Sequence, residues 1–233
     1  AEVRQMGLYH LFNINDPMTK NIAKSKNIIV NNVNSFYFKH PNSQYKNYFV
    51  YGPSRNREVW LKYISNKQNY YDKLTVNKNN KIIFYPLATF EPIIDLKNNN
   101  SFFELFNETI DTLNKISNVT VIIKPHIYTN IEIVQKKLKQ IKNKNFIISY
   151  LHPSLLINNS DLCICNLYTT IFAEAFLKNL YTLEYSDYSD ADLQYTKNNS
   201  KVPEYTDFFL NKSSYSKPAT ILLNLVEKIL SLD

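Results

Sequence analysis

Glycine occurs only twice in these 233 residues, at Gly7 and Gly52. A phosphate cradle built on repeated glycines, of either the dinucleotide or the P-loop kind, is thereby excluded. Any phosphate bound here has to be held by backbone amides at a helix start, by hydroxyls, or by Lys, Arg and His. Cysteine is as scarce, with Cys163 and Cys165 alone. Two apart in an apolar run, they fall on one face of a strand, and such neighbours do not bridge. No histidines cluster with them, so no zinc site of the usual spacing is expected, and buried reduced thiols are. No run of about 18 apolar residues exists, so no transmembrane helix is expected. The chain starts at Ala1 without a signal-peptide pattern, which reads as a piece of a longer, cytoplasmic protein.

What is present is an ordinary apolar fraction of 44%, enough for a packed core, and a net charge of +7. A basic balance fits anionic partners such as phosphorylated donors or an anionic membrane face. The lysines are scattered among asparagines at 77–81 and 136–144, a pattern of solvated surface, so nucleic acid is not expected.

From Lys81 onward, strand-like and helix-like segments alternate. Apolar runs at 81–86 (KIIFYP), 119–124 (VTVIIK), 146–150, 161–165 (DLCIC) and 180–184 predict strands. Helical spacing predicts helices over 101–116, 131–141, 154–158, 170–178 and 218–232. Ser101 and Glu104 form a capping-box start for the first of them. Continuous apolar strands separated by helices predict a doubly wound, parallel, Rossmann-like α/β sheet covered on both faces. Upstream, 27–33 and 46–51 read as strands and 58–64 as a short helix. A polar stretch sets a boundary near residue 75: a partial N-terminal segment with a linker over 1–75, and the Rossmann-like domain over 76–233.

Ligands of such sheets collect at the carboxyl ends of the strands, which directs attention to the residues just past each run. Lys124-Pro125-His126 follows the second run: a cation and an imidazole on a turn stiffened by proline. A loop histidine bonded to backbone is the plain alternative. Asn166 to Glu174 (NLYTTIFAE) follows the fourth run, with Thr169 and Thr170 at a helix start and Glu174 one turn on. Capping and a surface carboxylate explain the same residues. Thr89 follows the first run in YPLATFEP. Gly52 and Arg55 sit in YGPSRNR, where glycine permits an unusual turn and arginine can contact phosphate. His152 precedes a helix start at Pro153, as a base-side contact or a spacer. The acidic, aromatic stretch 185–192 is a candidate for the rim of the cleft.

In order and spacing, these pieces resemble the C-terminal domain of two-domain (GT-B type) transferases of bacterial surface polymers. The nearest likeness is to the CDP-glycerol glycerophosphotransferase and capsule-polysaccharide transferase group. The likeness rests on Tyr51–Arg55, Lys81–Thr89, the IIKPH of 122–126 and the SDLCICNLYTTIFAE of 160–174, and spans about residues 45 to 190. It implies a CDP-, CMP- or UDP-linked donor, a glycan or polymer acceptor, and no separate cofactor or metal. His126 would be the catalytic contact to the donor phosphates. Lys124, Thr169, Thr170, Thr89, Arg55 and Gly52 would bind donor or phosphate, and Glu174 would lie near the ribose or hold the loop. The chain departs from the group in its Thr-Thr pair, where Ser-Ser is usual, and in lacking most of an N-terminal catalytic domain. A basic, aromatic surface also suits peripheral contact at the inner face of a membrane.

Two other readings compete: a nucleotide-sugar epimerase of the same architecture, and a non-catalytic nucleotide-sugar-binding domain. A response-regulator module lacks support, because its acidic cluster at the strand ends is missing and Lys124-Pro125-His126 is the wrong chemistry for it.

Overall fold

A computed structural model describes residues 2–3, 27–30, 47–50, 57–88, 101–127, 129–141, 145–167 and 169–232. For the first three segments, and for Ser101 and Thr170, only the backbone is described. The chain forms two compact units, 1–63 and 64–233, which divide upstream of the polar stretch near residue 77. In the first unit, β1 (Glu2–Val3), β2 (Asn27–Val30) and β3 (Asn47–Val50) make a parallel three-stranded sheet in that order. Helix α1 (Glu58–Ser65) follows in sequence.

The second unit contains a six-stranded sheet that is parallel throughout. Its strands are β4 (Lys81–Pro86), β5 (Val119–Lys124), β6 (Phe146–Ile148), β7 (Leu162–Cys165), β8 (Tyr181–Ser186) and β9 (Phe208–Asn211). They lie in the order β6-β5-β4-β7-β8-β9. The chain thus builds outward from β4 in one direction, then returns to its other side and builds the opposite way. The point of reversal lies between β4 and β7, where Ile83 pairs with Leu162 and Phe84 with Cys163.

Alternation along the strands divides the core in two. Ile83, Tyr85, Val121, Ile123, Ile164 and Leu183 face one layer. Helices α3 (Ser101–Leu113) and α8 (Pro218–Leu230) cover that layer, with Leu105, Phe106, Ile110, Leu222 and Val226 fully buried. Val134 of α4 (Ile131–Lys139) joins the same cluster. Neighbouring strand residues Ile82, Phe84, Ile122 and Cys163 are buried outside that cluster, as are Leu155 and Leu156 of α5 (Pro153–Ile157) and Phe172 of α6 (Thr170–Phe176). Covering both faces is what makes the runs continuous instead of alternating.

Four of these elements escape the sequence reading: β1, α2 (Gln68–Tyr71), α7 (Asp190–Tyr195) and β9. Helix α2 is tied to the end of α5 by a reciprocal amide pair. Gln68 Nε2 donates to Asn159 Oδ1 at 2.7 Å, and Asn159 Nδ2 donates to Gln68 Oε1 at 3.1 Å. β8 also runs two residues past the predicted stop at 184, to Ser186, which pairs with Asn211. With so little glycine, left-handed backbone is taken by Asn118, Asn179 and Asn198, at φ of 57°, 56° and 60°, and by Lys197. No helix among the described residues is long and apolar enough to cross a membrane.

Candidate functional site

In a parallel sheet of this order, the crevice opens at the carboxyl edge where the winding reverses, because the loops leaving β4 and β7 part to opposite faces there. The residues at that edge are therefore the candidate site. From β5 come Lys124, half-buried as the last residue of the strand, then buried Pro125 and exposed His126. Leu87, just past β4, donates its N–H to Lys124 O at 2.9 Å, so the two strand exits are held together. His126 N–H donates to Thr129 Oγ1 at 2.8 Å, and Thr129 Oγ1 lies 3.2 Å from Ala88 O, to which it donates.

At the exit of β7, Asn166 is a buried hub. Its Oδ1 accepts from the Tyr85 hydroxyl; its Nδ2 donates to Thr109 Oγ1 at 2.9 Å and to Tyr185 O at 3.0 Å. One side chain thereby joins β4, α3 and β8 beneath the point of reversal. Burial also drives the Tyr85 hydroxyl well above its usual range, so it stays a donor. Thr169 is the N-cap of α6, and its Oγ1 accepts from Ile171 N at 3.3 Å. A hydroxyl that accepts one N–H keeps its own hydrogen to donate outward.

The remaining predicted residues are distributed as follows. Glu174 is buried and takes the Ser154 hydroxyl, joining α6 to α5. His152 caps α5, its Nδ1 accepting from Ser154 N at 3.2 Å. Thr170 begins α6, with its side chain outside the description. Gly52, Arg55 and Thr89 lie outside the described residues. In the stretch proposed as a rim, Tyr185, Ser186, Asp187 and Tyr188 are buried.

The sequence reading missed a second polar centre, at the end of β8. Glu184, with no exposed surface, accepts from Ser186 Oγ at 2.8 Å, from Ser200 Oγ at 2.5 Å, and from the Tyr188 hydroxyl. Burial raises its carboxyl above the ordinary value, while Ser200, Tyr188, Ser186 and Lys201 pull it back down. Lys201 is itself buried, 2.7 Å from Asp192 Oδ1, with its Nζ 5.0 Å from the centre of the Tyr188 ring. Asp190-Ala191-Asp192 has the spacing of a metal-binding pair, yet Asp192 also accepts from Ser189 Oγ at 2.7 Å and so holds its charge within the protein. Among the described residues, no group of three His, Cys, Asp or Glu is arranged to hold a metal ion. The signal for Glu184 was local: an acid set between Leu183 and Tyr185 in the strand YTLEYS. Both cysteines are buried and unbridged. Burial first, then Cys163 and Glu184, push the Cys165 thiol well up, which leaves it protonated and inert.

Two open cavities of about 320 and 310 Å³ lie at the opposite, amino edge of the sheet, beside Lys81, Asp161 and Lys178 and beside Tyr71, Asn80 and Asn159. Helix carboxyl ends converge there, and Lys81 pairs with Asp161 at 3.3 Å. Helix amino ends and strand exits, the usual sources of ligand contacts, are at the other edge.

The order of the sheet and the side it opens on define a Rossmann-like α/β domain. The chain matches no family model and no curated protein.

Proposed function

We propose that this chain binds a nucleotide-activated donor at the carboxyl edge of its six-stranded sheet and serves as the donor half of a GT-B type transferase. Such an enzyme would pass a sugar or glycerophosphate from a CDP-, CMP- or UDP-linked donor to a glycan or polymer acceptor of the bacterial cell surface. The observation that carries this reading is the coincidence of the winding reversal with Lys124, His126 and Thr169 on the loops of one edge.

Transfer forms a bond from an acceptor hydroxyl oxygen, which gives up its proton, to the donated group, and breaks the bond from that group to the bridging oxygen of the nucleotide, whose phosphate departs with the bonding electrons. Groups that meet that charge speed the step more than they strengthen ground-state binding. Lys124 offers a positive charge, His126 an imidazole donor, and Thr169 a hydroxyl hydrogen. Thermal unfolding of the chain with CDP, CMP, UDP and GDP tests the reading. Stabilisation by one of them, lost in His126→Ala, supports the donor site and names the base; no shift with any nucleotide removes it.

A further inference from the structure

A single hydroxyl ties the two strand-exit loops of the carboxyl edge to each other. Thr129 Oγ1 accepts the His126 N–H at 2.8 Å and donates to Ala88 O at 3.2 Å, while the Thr129 N–H donates to His126 O at 2.9 Å. Together with the bond from Leu87 N to Lys124 O at 2.9 Å, this holds the Lys124-Pro125-His126 turn at both its ends against the exit of β4.

The obvious structural duty for a threonine at this place would be to start α4. That duty is already discharged by the next residue, Asn130, whose Oδ1 accepts from Glu132 N at 3.1 Å. The Thr129 hydroxyl therefore spends both its acceptor and its donor capacity on the loops. A hydroxyl does both from one atom; an amide would need its oxygen and its nitrogen, and an ionised carboxylate only accepts.

We propose that Thr129 is a positioning residue, fixing the His126 turn against the β4 exit so that the edge can bind a phosphate group. This rests on the donor-site reading and adds to it the residue that sets the turn. A turn held in advance loses little freedom on binding, and releasing it lowers affinity without touching the contacts themselves.

The test measures affinity for CDP, UDP, CMP and GDP in the unaltered chain and in Thr129→Val, Thr129→Ser and Asn130→Ala. Thr129 is half-exposed, and valine has its shape without its hydroxyl, so the variant should fold; amide hydrogen exchange at His126 reports directly whether the turn has come loose. The expected result is a loss on the order of tenfold in Thr129→Val, the scale of one or two hydrogen bonds, with faster exchange at His126. Thr129→Ser should bind as the unaltered chain does. Asn130→Ala should lower the melting temperature yet keep its affinity. Equal affinity in Thr129→Val, or equal losses in the Val and Ser variants, overturns the assignment and leaves the donor site standing. If the unaltered chain binds none of the four nucleotides, the donor-site reading fails, and this inference with it.

Discussion

Ser200 donates its hydroxyl hydrogen to Glu184 Oε2 at 2.5 Å, closing the segment after α7 over a carboxylate that has no contact with solvent. Its Oγ in turn accepts from Val202 N and from Thr206 Oγ1, both at 3.0 Å, so the closure is held from two sides. The connection between β8 and β9 is thus organised around one acidic group.

That arrangement makes stability depend on pH in a definite direction. Burial, the largest influence, raises the Glu184 carboxyl above its ordinary 4.5, so the folded chain holds this proton more readily than the unfolded chain. Its contribution to stability is complete below about pH 4.5 and is lost as pH rises through the folded-state value. Glu184→Gln carries no titrating proton. Urea unfolding from about pH 4.5 to 8 should therefore show a flatter decline in the variant than in the unaltered chain. Parallel curves would mean that other groups set the slope.

Asn166 is expected to matter more for the fold than any residue of the proposed ligand edge. Asn166→Ala leaves the Tyr85 hydroxyl, Thr109 Oγ1 and Tyr185 O short of a partner inside the core. The expected cost is about 3 kcal/mol by chemical denaturation, from the loss of several buried hydrogen bonds. A change below about 1 kcal/mol would show that the hub is replaced by water.

His126→Ala should do the reverse. His126 is exposed, and its backbone carries the bonds that hold the turn, which alanine keeps. Without nucleotide, stability should move by no more than about 0.5 kcal/mol, as for most surface substitutions. Nucleotide-dependent stabilisation, and any transfer rate, should fall sharply. Equal losses of fold and binding would sink the catalytic assignment.

Leu222 of α8 is fully buried in the layer shared with α3. Leu222→Ala should cost about 3 kcal/mol through lost burial and the cavity left behind. The measurement is the urea midpoint at constant slope.

At the amino edge, Gln68→Ala removes the amide pair with Asn159 and should loosen α2 alone. Amide exchange should quicken over 68–72 while the strands stay protected, with a loss of about 1 kcal/mol. Tyr71 gives a second handle there. Its hydroxyl, which donates to Asn159 O at 3.2 Å, is pushed up to about 12 by burial and then by Asp161 and Asp72.

How far the sequence discloses this fold depends on where each element finds its partners. β4 and β5 match the runs KIIFYP and VTVIIK residue for residue, because strands covered on both faces write their burial as an unbroken apolar stretch. β9 does not. It lies at the sheet edge with one neighbour, and Phe208 and Phe209 are only half-buried, so four residues of FFLN carry no pattern above that of a loop. The last two residues of β8 are fixed from afar, since Ser186 pairs with Asn211 and its hydroxyl donates to Asn166 O at 3.1 Å. At the candidate site, Lys124, His126 and Thr169 were legible as polar residues at or after strand ends. Asn166 opens the stretch 166–174, but its partners Tyr85, Thr109 and Tyr185 are brought together only by the winding of the sheet. Glu174 reads in the sequence as a residue near the ribose or holding the loop, with a surface carboxylate as the plain alternative, and no spacing within α6 reveals the Ser154 hydroxyl that it meets.

The asparagines at left-handed positions bear on the unfolded chain as much as on the folded one. Asn118 and Asn179 keep a Cβ where most proteins would place glycine, which strains each turn by about 1 kcal/mol. The same Cβ narrows the range of conformations open to the denatured backbone, so less entropy is surrendered when the turn forms. The two effects oppose each other and are similar in size. A chain with two glycines can therefore make its tight corners at little net cost, and replacing Asn118 by glycine would shift strain into disorder without much change in the balance between them.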